Sequence, residues 1–223
     1  MLEVKQVSFA WSDDLILEDV SFNVEPGKPV AITGANGSGK TTLLRVLAGL
    51  AMPVEGSVYA DGADIFKNSF RYRRILGYLS ESAPVNPKMT VSKYLRFRAK
   101  LKGEQSKKIS HRVEEAMEIC RLSAYADSRI GLLSRGQMKR VALADVFLLR
   151  PRYVILDDPY AGLDDLSREA LCNVIRNVSS FASVIAAGHE VEEFSKWASV
   201  KYEMRAGQLS DLSENEKPKG VEM

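Results

Sequence analysis

The sequence predicts an α/β fold with a mostly parallel core sheet, an N-terminal antiparallel β subdomain and an inserted α-helical subdomain. Three observations predict it. Strand-like and helix-like segments alternate on both sides of a long helical stretch, from about residue 88 to 150. The apolar run from Tyr153 to Asp157 suits a central strand buried on both faces. A length of 223 residues with 45% hydrophobic and 27% charged composition suits one folded domain and excludes disorder throughout.

Each element has its own signal. Val4 to Phe9 and Leu17 to Val24 alternate like strands, and Pro26-Gly27 marks a turn. Pro29 to Thr33 is a short strand running straight into glycine. Lys40 to Leu50 reads as helix, with Leu43, Leu44, Val46, Leu47 and Leu50 at helical spacing and Gly49 and Pro53 near its end. Ser57 to Ala60 and Ile75 to Ser80 are strand candidates. The helical stretch breaks at Gly103 and around 127–136. Beyond the strand at 153–157, Leu166 to Val178 is helix, Ser183 to Ala187 strand and Glu190 to Trp197 helix. Polar residues from Ser210 onward, with Pro218 and Gly220, predict a loose tail. The domain reading is one unit over 1–223. Its core takes about 1–80 and 151–210, a helical subdomain about 81–150, and the tail about 211–223.

A net charge of +2 does not call for nucleic acid as a partner. Cys120 and Cys172 lack metal-site spacing and are expected as buried free thiols in a reducing compartment. Two histidines are too few for most histidine-rich metal sites. No apolar run approaches a membrane span, and Asp145 interrupts the best one, Val141 to Leu149. The first residues lack the order of a signal peptide, so the expected location is cytoplasmic, or peripheral on the cytoplasmic face of a membrane.

Gly34-Ala35-Asn36-Gly37-Ser38-Gly39-Lys40-Thr41 fits GxxxxGK[ST] between a predicted strand and a predicted helix. Glycines let backbone N–H groups turn around phosphate oxygens, and the helix N-terminus adds partial positive charge. Lys40 supplies a point charge to the β- and γ-phosphates, and Thr41 a hydroxyl to Mg²⁺. Asp157 ends an apolar strand at the edge where parallel sheets bind ligands, suited to the Mg²⁺ shell opposite Thr41. These features predict a nucleotide-binding P-loop domain that uses Mg²⁺, a description that many families fit.

Leu133-Ser134-Arg135-Gly136-Gln137 resembles the LSGGQ signature of the ATP-binding cassette (ABC) ATPases. Asp158-Pro159-Tyr160-Ala161-Gly162-Leu163-Asp164 resembles their Walker B extension and D-loop. His189 falls at the switch histidine, and Trp11 where the family stacks an aromatic on adenine. The resemblance covers nearly the whole chain. It implies that Ser134, Gly136 and Gln137 meet the γ-phosphate held by a second cassette, with Asp164 crossing that interface. It also places Thr42 beside the phosphates and His189 near the attacking water. Ser134 and Asp164 also suit helix N-caps, which for Ser134 is compatible with the role the resemblance implies, and without the family order His189 would read as a polar strand end.

Three positions depart from the family pattern. The glutamate that polarises the attacking water is here Asp158, one methylene shorter, so slow hydrolysis is expected. No glutamine lies between 70 and 100, and Glu81 is the positional match for the family's glutamine, with a carboxylate able to ligate Mg²⁺. Arg135 replaces a glycine of the signature.

The resemblance implies an ATP-hydrolysing subunit that pairs with a second cassette, identical or different, and drives a separate transmembrane subunit. The Gly77 to Glu81 and Met89 to Val91 stretches look most like exporter subunits for drugs, ions or haem. Two alternatives stay open: a degenerate cassette that binds ATP beside an active partner, and a non-transport ABC ATPase. The basic segment from Lys88 to Arg112 suits either lipid headgroups or a solvated helix face.

Overall fold

The computed structural model describes residues 1–212. The predicted tail, apart from its first residues, lies outside them.

Two sheets share the chain. Strands β1 (Leu2–Trp11), β2 (Asp14–Val24), β4 (Glu55–Ala60) and β5 (Ala63–Asp64) form an antiparallel sheet in the order β2-β1-β4-β5. Its alternation is not regular. Val4 and Val7 are three apart yet both buried, and the register shifts between them. Gln6 and Asp19 take positive φ near this irregularity, with backbone N–H groups donating to Ser21 and Ser8 hydroxyls.

The second sheet has the order β10-β9-β3-β8-β7-β6. Strands β3 (Val30–Thr33), β6 (Leu76–Leu79), β7 (Tyr153–Asp157), β8 (Ser183–Ala187) and β9 (Val200–Arg205) run parallel. The edge strand β10 (Gln208–Asp211) is antiparallel to β9. Every residue of β7 and β8 is buried, as a central parallel strand requires. Val154, Leu156, Val184 and Ala186 pack into the core on the helical side, while Tyr153, Ile155 and Ile185 pack into the core shared with the antiparallel sheet.

Helix α1 (Lys40–Leu47) ends three residues earlier than its apolar spacing predicts, because Gly49 turns left-handed at φ 68°. Helix α2 (Ser69–Ile75) escapes the sequence reading, and Ile75 closes it instead of opening β6. Helices α3 (Val91–Leu101), α4 (Ser106–Ile119) and α5 (Arg135–Phe147) form the helical layer. Asp145 of α5 is ion-paired with Arg98 of α3 and with Lys102, the residue just past its end. Arg112 pairs with Glu104 and Glu115. The basic segment is therefore divided: Lys88, Lys93, Lys100, Lys107 and Lys108 face solvent, whereas Arg98, Lys102 and Arg112 are committed to acids.

Helix α6 (Asp165–Ser179) packs beside β8, and α7 (Val191–Ser195) is shorter than the 190–197 expected. Cys120 and Cys172 are buried free thiols.

Candidate functional site

The C-terminal ends of four parallel strands meet at one edge. Thr33 opens the glycine loop, Leu79 leads to Glu81, Asp157 to Asp158, and Ala187 to Gly188 and His189. Ladder pairing aligns Leu79 with Leu156 and Asp157 with Ala187. Together with Trp11 at the end of β1, these segments enclose a cavity of about 380 Å³. It is lined by Trp11, Asn36, Gly37, Gly39, Lys40, Thr41, Thr42, Glu81, Asp157, Asp158 and His189 from the sequence reading. Ile16 and Gly188 line it too and carry no sequence signal of their own. A slightly larger apolar cavity of about 410 Å³, between α4, α5 and α6, contains none of these residues.

The loop itself needs glycine. A Cβ on Gly34 would sit 2.3 Å from the Met204 carbonyl oxygen, and φ there is +150°. Ser38 is buried, and its Oγ lacks a hydrogen-bond partner. Lys40 Nζ donates to the Gly34 and Ala35 carbonyls at 2.8 Å each. Burial pulls the Lys40 ammonium below its ordinary value, against the opposing pull of Asp157 and Asp158.

Thr41 Oγ1 donates to Asp157 Oδ1 at 3.2 Å, while Asp157 Oδ2 and Asp158 Oδ1 are buried without partners. Burial raises Asp157, with Thr41 opposing and Glu81 and Asp158 adding to it. Burial also raises Asp158, with Glu190 adding and Lys139 and His189 opposing. Orphaned carboxylate oxygens beside a hydroxyl are a hard-oxygen donor set that fits Mg²⁺. Among the described residues no group of three or more His, Cys, Asp or Glu could hold a metal ion.

His189 is exposed at the cavity, and its backbone N–H donates to Glu190 Oε2 at 3.1 Å. Trp11 is 52% exposed and stands edge-on to Phe9, at 4.9 Å between centroids.

Ser134, Gly136, Gln137 and Asp164 do not line this cavity. Ser134 caps α5: its Oγ accepts from the Gln137 N–H, and Gln137 Oε1 accepts from the Ser134 N–H. Asp164 caps α6, accepting from the Ser167 N–H at 2.8 Å. Both cap readings hold within one chain, and both turns stay at the surface. Lys139 is the residue that sequence reasoning missed. It is buried, with Nζ donating to the backbone carbonyls of Asp158 at 3.0 Å and Glu81 at 3.5 Å.

Comparison with known proteins agrees with this geometry. The family profile described as ABC transporter matches residues 17–161. The sulfate/thiosulfate import ATP-binding protein CysA of Synechococcus elongatus is 33% identical over 213 residues, 95% of this chain and 62% of the relative. The putative ABC transporter ATP-binding protein VNG_2317G of Halobacterium salinarum is 31% identical, covering 94% of this chain and 91% of the relative. The chain thus spans about three fifths of the length of CysA and of the iron-import relative FbpC 1 of Pectobacterium atrosepticum, at 62% and 60%. A solved structure described as the ATP binding subunit of an ABC transporter superposes with a TM-score of 0.86 at 27% identity, covering 96% and 91% of the two chains. The dimeric cassette MJ0796 shares the fold, with a TM-score of 0.85 at 23% identity. The relatives whose names state a cargo are import proteins, so the exporter expectation finds no support among them. The phosphate loop, the paired aspartates and these relatives make one assignment: the chain belongs to the ABC transporter family and is an ATP-binding cassette.

Proposed function

We propose that this chain binds and hydrolyses ATP at the sheet edge, as one half of a two-cassette sandwich that drives a separate transmembrane subunit. One observation carries the reading. The phosphate loop, Asp157, Asp158, Glu81 and His189 converge on a single cavity from four strand ends.

Trp11, half exposed and lining the cavity, stacks on the adenine. The loop N–H groups of Asn36, Gly37 and Gly39, the N-terminus of α1 and Lys40 bind the phosphate chain, with Thr42 beside them, while Gly34, Ala35 and Ser38 shape the loop from outside the cavity lining. Thr41, Asp157 and Glu81 would hold Mg²⁺, which would supply charge neutralisation to the phosphate oxygens. Asp158 orients the attacking water and takes its proton, and His189 contacts the γ-phosphate. Ser134, Gly136 and Gln137 serve the nucleotide of the opposite cassette. Their turn lies outside the cavity, at the surface, with backbone donors at a helix start. Asp164 crosses the same interface. Residues α3 to α5 form the helical subdomain that carries this turn. No helix among the described residues is long and apolar enough to cross a membrane.

The test is Mg²⁺-dependent ATP turnover by the purified chain across a wide range of protein concentration, with Lys40→Ala as blank. Turnover per chain that rises with concentration is expected of a self-sufficient pair. ATP binding without turnover above the blank favours the degenerate cassette, for which the short carboxylate of Asp158 is the specific observation.

A further inference from the structure

Lys139 is the fifth residue of α5, the helix that begins at the signature turn. Its side chain is buried although nothing apolar in its own chemistry calls for it. It reaches back to the catalytic edge and donates to two carbonyls that belong to two different segments, Asp158 after β7 and Glu81 after β6. The carboxylates of Asp158, Asp157, Glu81 and Glu190 all attract it. Lys40, the lysine that lines the cavity, spends its hydrogen bonds on the loop carbonyls of Gly34 and Ala35. Asp158 also sits at φ +46°, a backbone region unfavourable for a non-glycine residue, so an external anchor on its carbonyl has a clear purpose.

We propose that Lys139 is a positioning residue for hydrolysis: it pins Asp158 and the Glu81 loop to the signature helix, and its charge offsets the negative charge that Glu81 adds. The inference rests on the ATPase reading above. Removing the ammonium leaves the carboxylates of Asp158, Asp157, Glu81 and Glu190 without the charge that attracts them and frees the Asp158 carbonyl. The carboxylate then sits off its productive position, and a displacement of about 1 Å is enough for a loss on the order of 10²-fold. Nucleotide binding, which depends on the loop and Trp11, is little affected.

The test compares wild type, Lys139→Met, Lys139→Gln and each of these with Glu190→Gln added, reading kcat, MgATP affinity and Tm. Lys139→Met is expected to lower kcat by about 10- to 100-fold with MgATP affinity within about threefold. Glu190 does not line the cavity, and its carboxylate adds negative charge beside Asp158. Adding Glu190→Gln is expected to recover at least about fivefold of that loss, because it removes one of the uncompensated charges. A packing defect would not respond to that second change. If Lys139→Met fails to fold, Lys139→Gln, which keeps a donor and loses the charge, is read in its place, alone and with Glu190→Gln. A kcat within twofold of an active wild type, or no recovery with Glu190→Gln, overturns the inference alone. A wild type that does not exceed the Lys40→Ala blank overturns the ATPase reading, and the inference with it.

Discussion

Thr41 Oγ1 lies 3.2 Å from Asp157 Oδ1, so one hydrogen bond joins the first turn of α1 to the end of β7. The other Asp157 oxygen is buried without a partner. A buried carboxylate in that state costs the fold stability. Asp157→Asn is therefore expected to raise the Tm of the nucleotide-free protein by about 2–4 °C, the equivalent of roughly 1 kcal/mol for a chain of this size. The same change removes a hard oxygen ligand and is expected to reduce Mg²⁺-dependent turnover by on the order of 10²-fold. Thermal unfolding and steady-state hydrolysis read the two effects separately. A lower Tm would mean that the carboxylate is better satisfied than its geometry indicates.

Asp158 stands at φ +46°, where aspartate is tolerated better than longer side chains. Asp158→Glu should lower Tm modestly, by about 1–3 °C. It also extends the carboxylate by one methylene toward the cavity, so turnover is expected to rise by about tenfold. A glutamate variant slower than wild type would sink the view that Asp158 limits the rate by its reach.

Trp11 contributes an exposed indole held edge-on by Phe9. Stacking of a base on an aromatic ring is worth about 1–3 kcal/mol. Trp11→Ala should weaken MgATP binding by about tenfold while leaving kcat at saturation within about twofold. A fluorescent-nucleotide titration measures the first and saturation kinetics the second. Unchanged affinity would return Trp11 to the role of a strand-end aromatic.

Glu115 links α4 to the loop after α5 through Arg150 and also meets Arg112. Burial acts to raise its carboxyl, but the two guanidinium groups outweigh burial and hold it below the usual glutamate range. The folded state therefore binds this proton less tightly than the unfolded state does. The pairs stabilise the fold above the unfolded pKa of about 4.3, and the contribution is lost as pH falls through the folded value. Wild type should melt above Glu115→Gln at pH 7, and the gap should close toward pH 3. A gap that is constant with pH would assign the effect to packing instead.

Much of the site was legible because its chemistry is local. A glycine loop between a strand and a helix, and an apolar run ending in two aspartates, each declare themselves within eight residues. What was not legible depends on distant partners. Helix α2 buries only Tyr72, so it shows no apolar stripe to read. Strand β9 carries Lys201, Glu203 and Arg205, and it is defined by pairing with β3, some 170 positions earlier. Lys139 looks like a solvated helix lysine until β7 and the Glu81 loop are folded against it. The basic segment read as uniform because Asp145, its main internal partner, lies over 40 positions away.

Gly136 separates the two roles of the signature turn. It is the second residue of α5, and a Cβ built there meets Leu163 Cδ2 at 3.7 Å and the Gly162 carbonyl oxygen at 3.8 Å, ordinary contacts. The chain therefore has room for alanine, and a helical glycine is less favourable than alanine by about 0.5–1 kcal/mol. Gly136→Ala should keep or raise Tm, preserve the Ser134–Gln137 cap and leave MgATP binding by the isolated chain unchanged. If the turn closes on the phosphates of a second cassette, the added methyl occupies part of that approach. Turnover should then fall by about tenfold or more, most sharply at protein concentrations where pairing limits the rate. Full activity in a variant of normal stability would reduce Ser134 and Gln137 to the capping box seen within one chain, and the shared-site reading would lose its main residues.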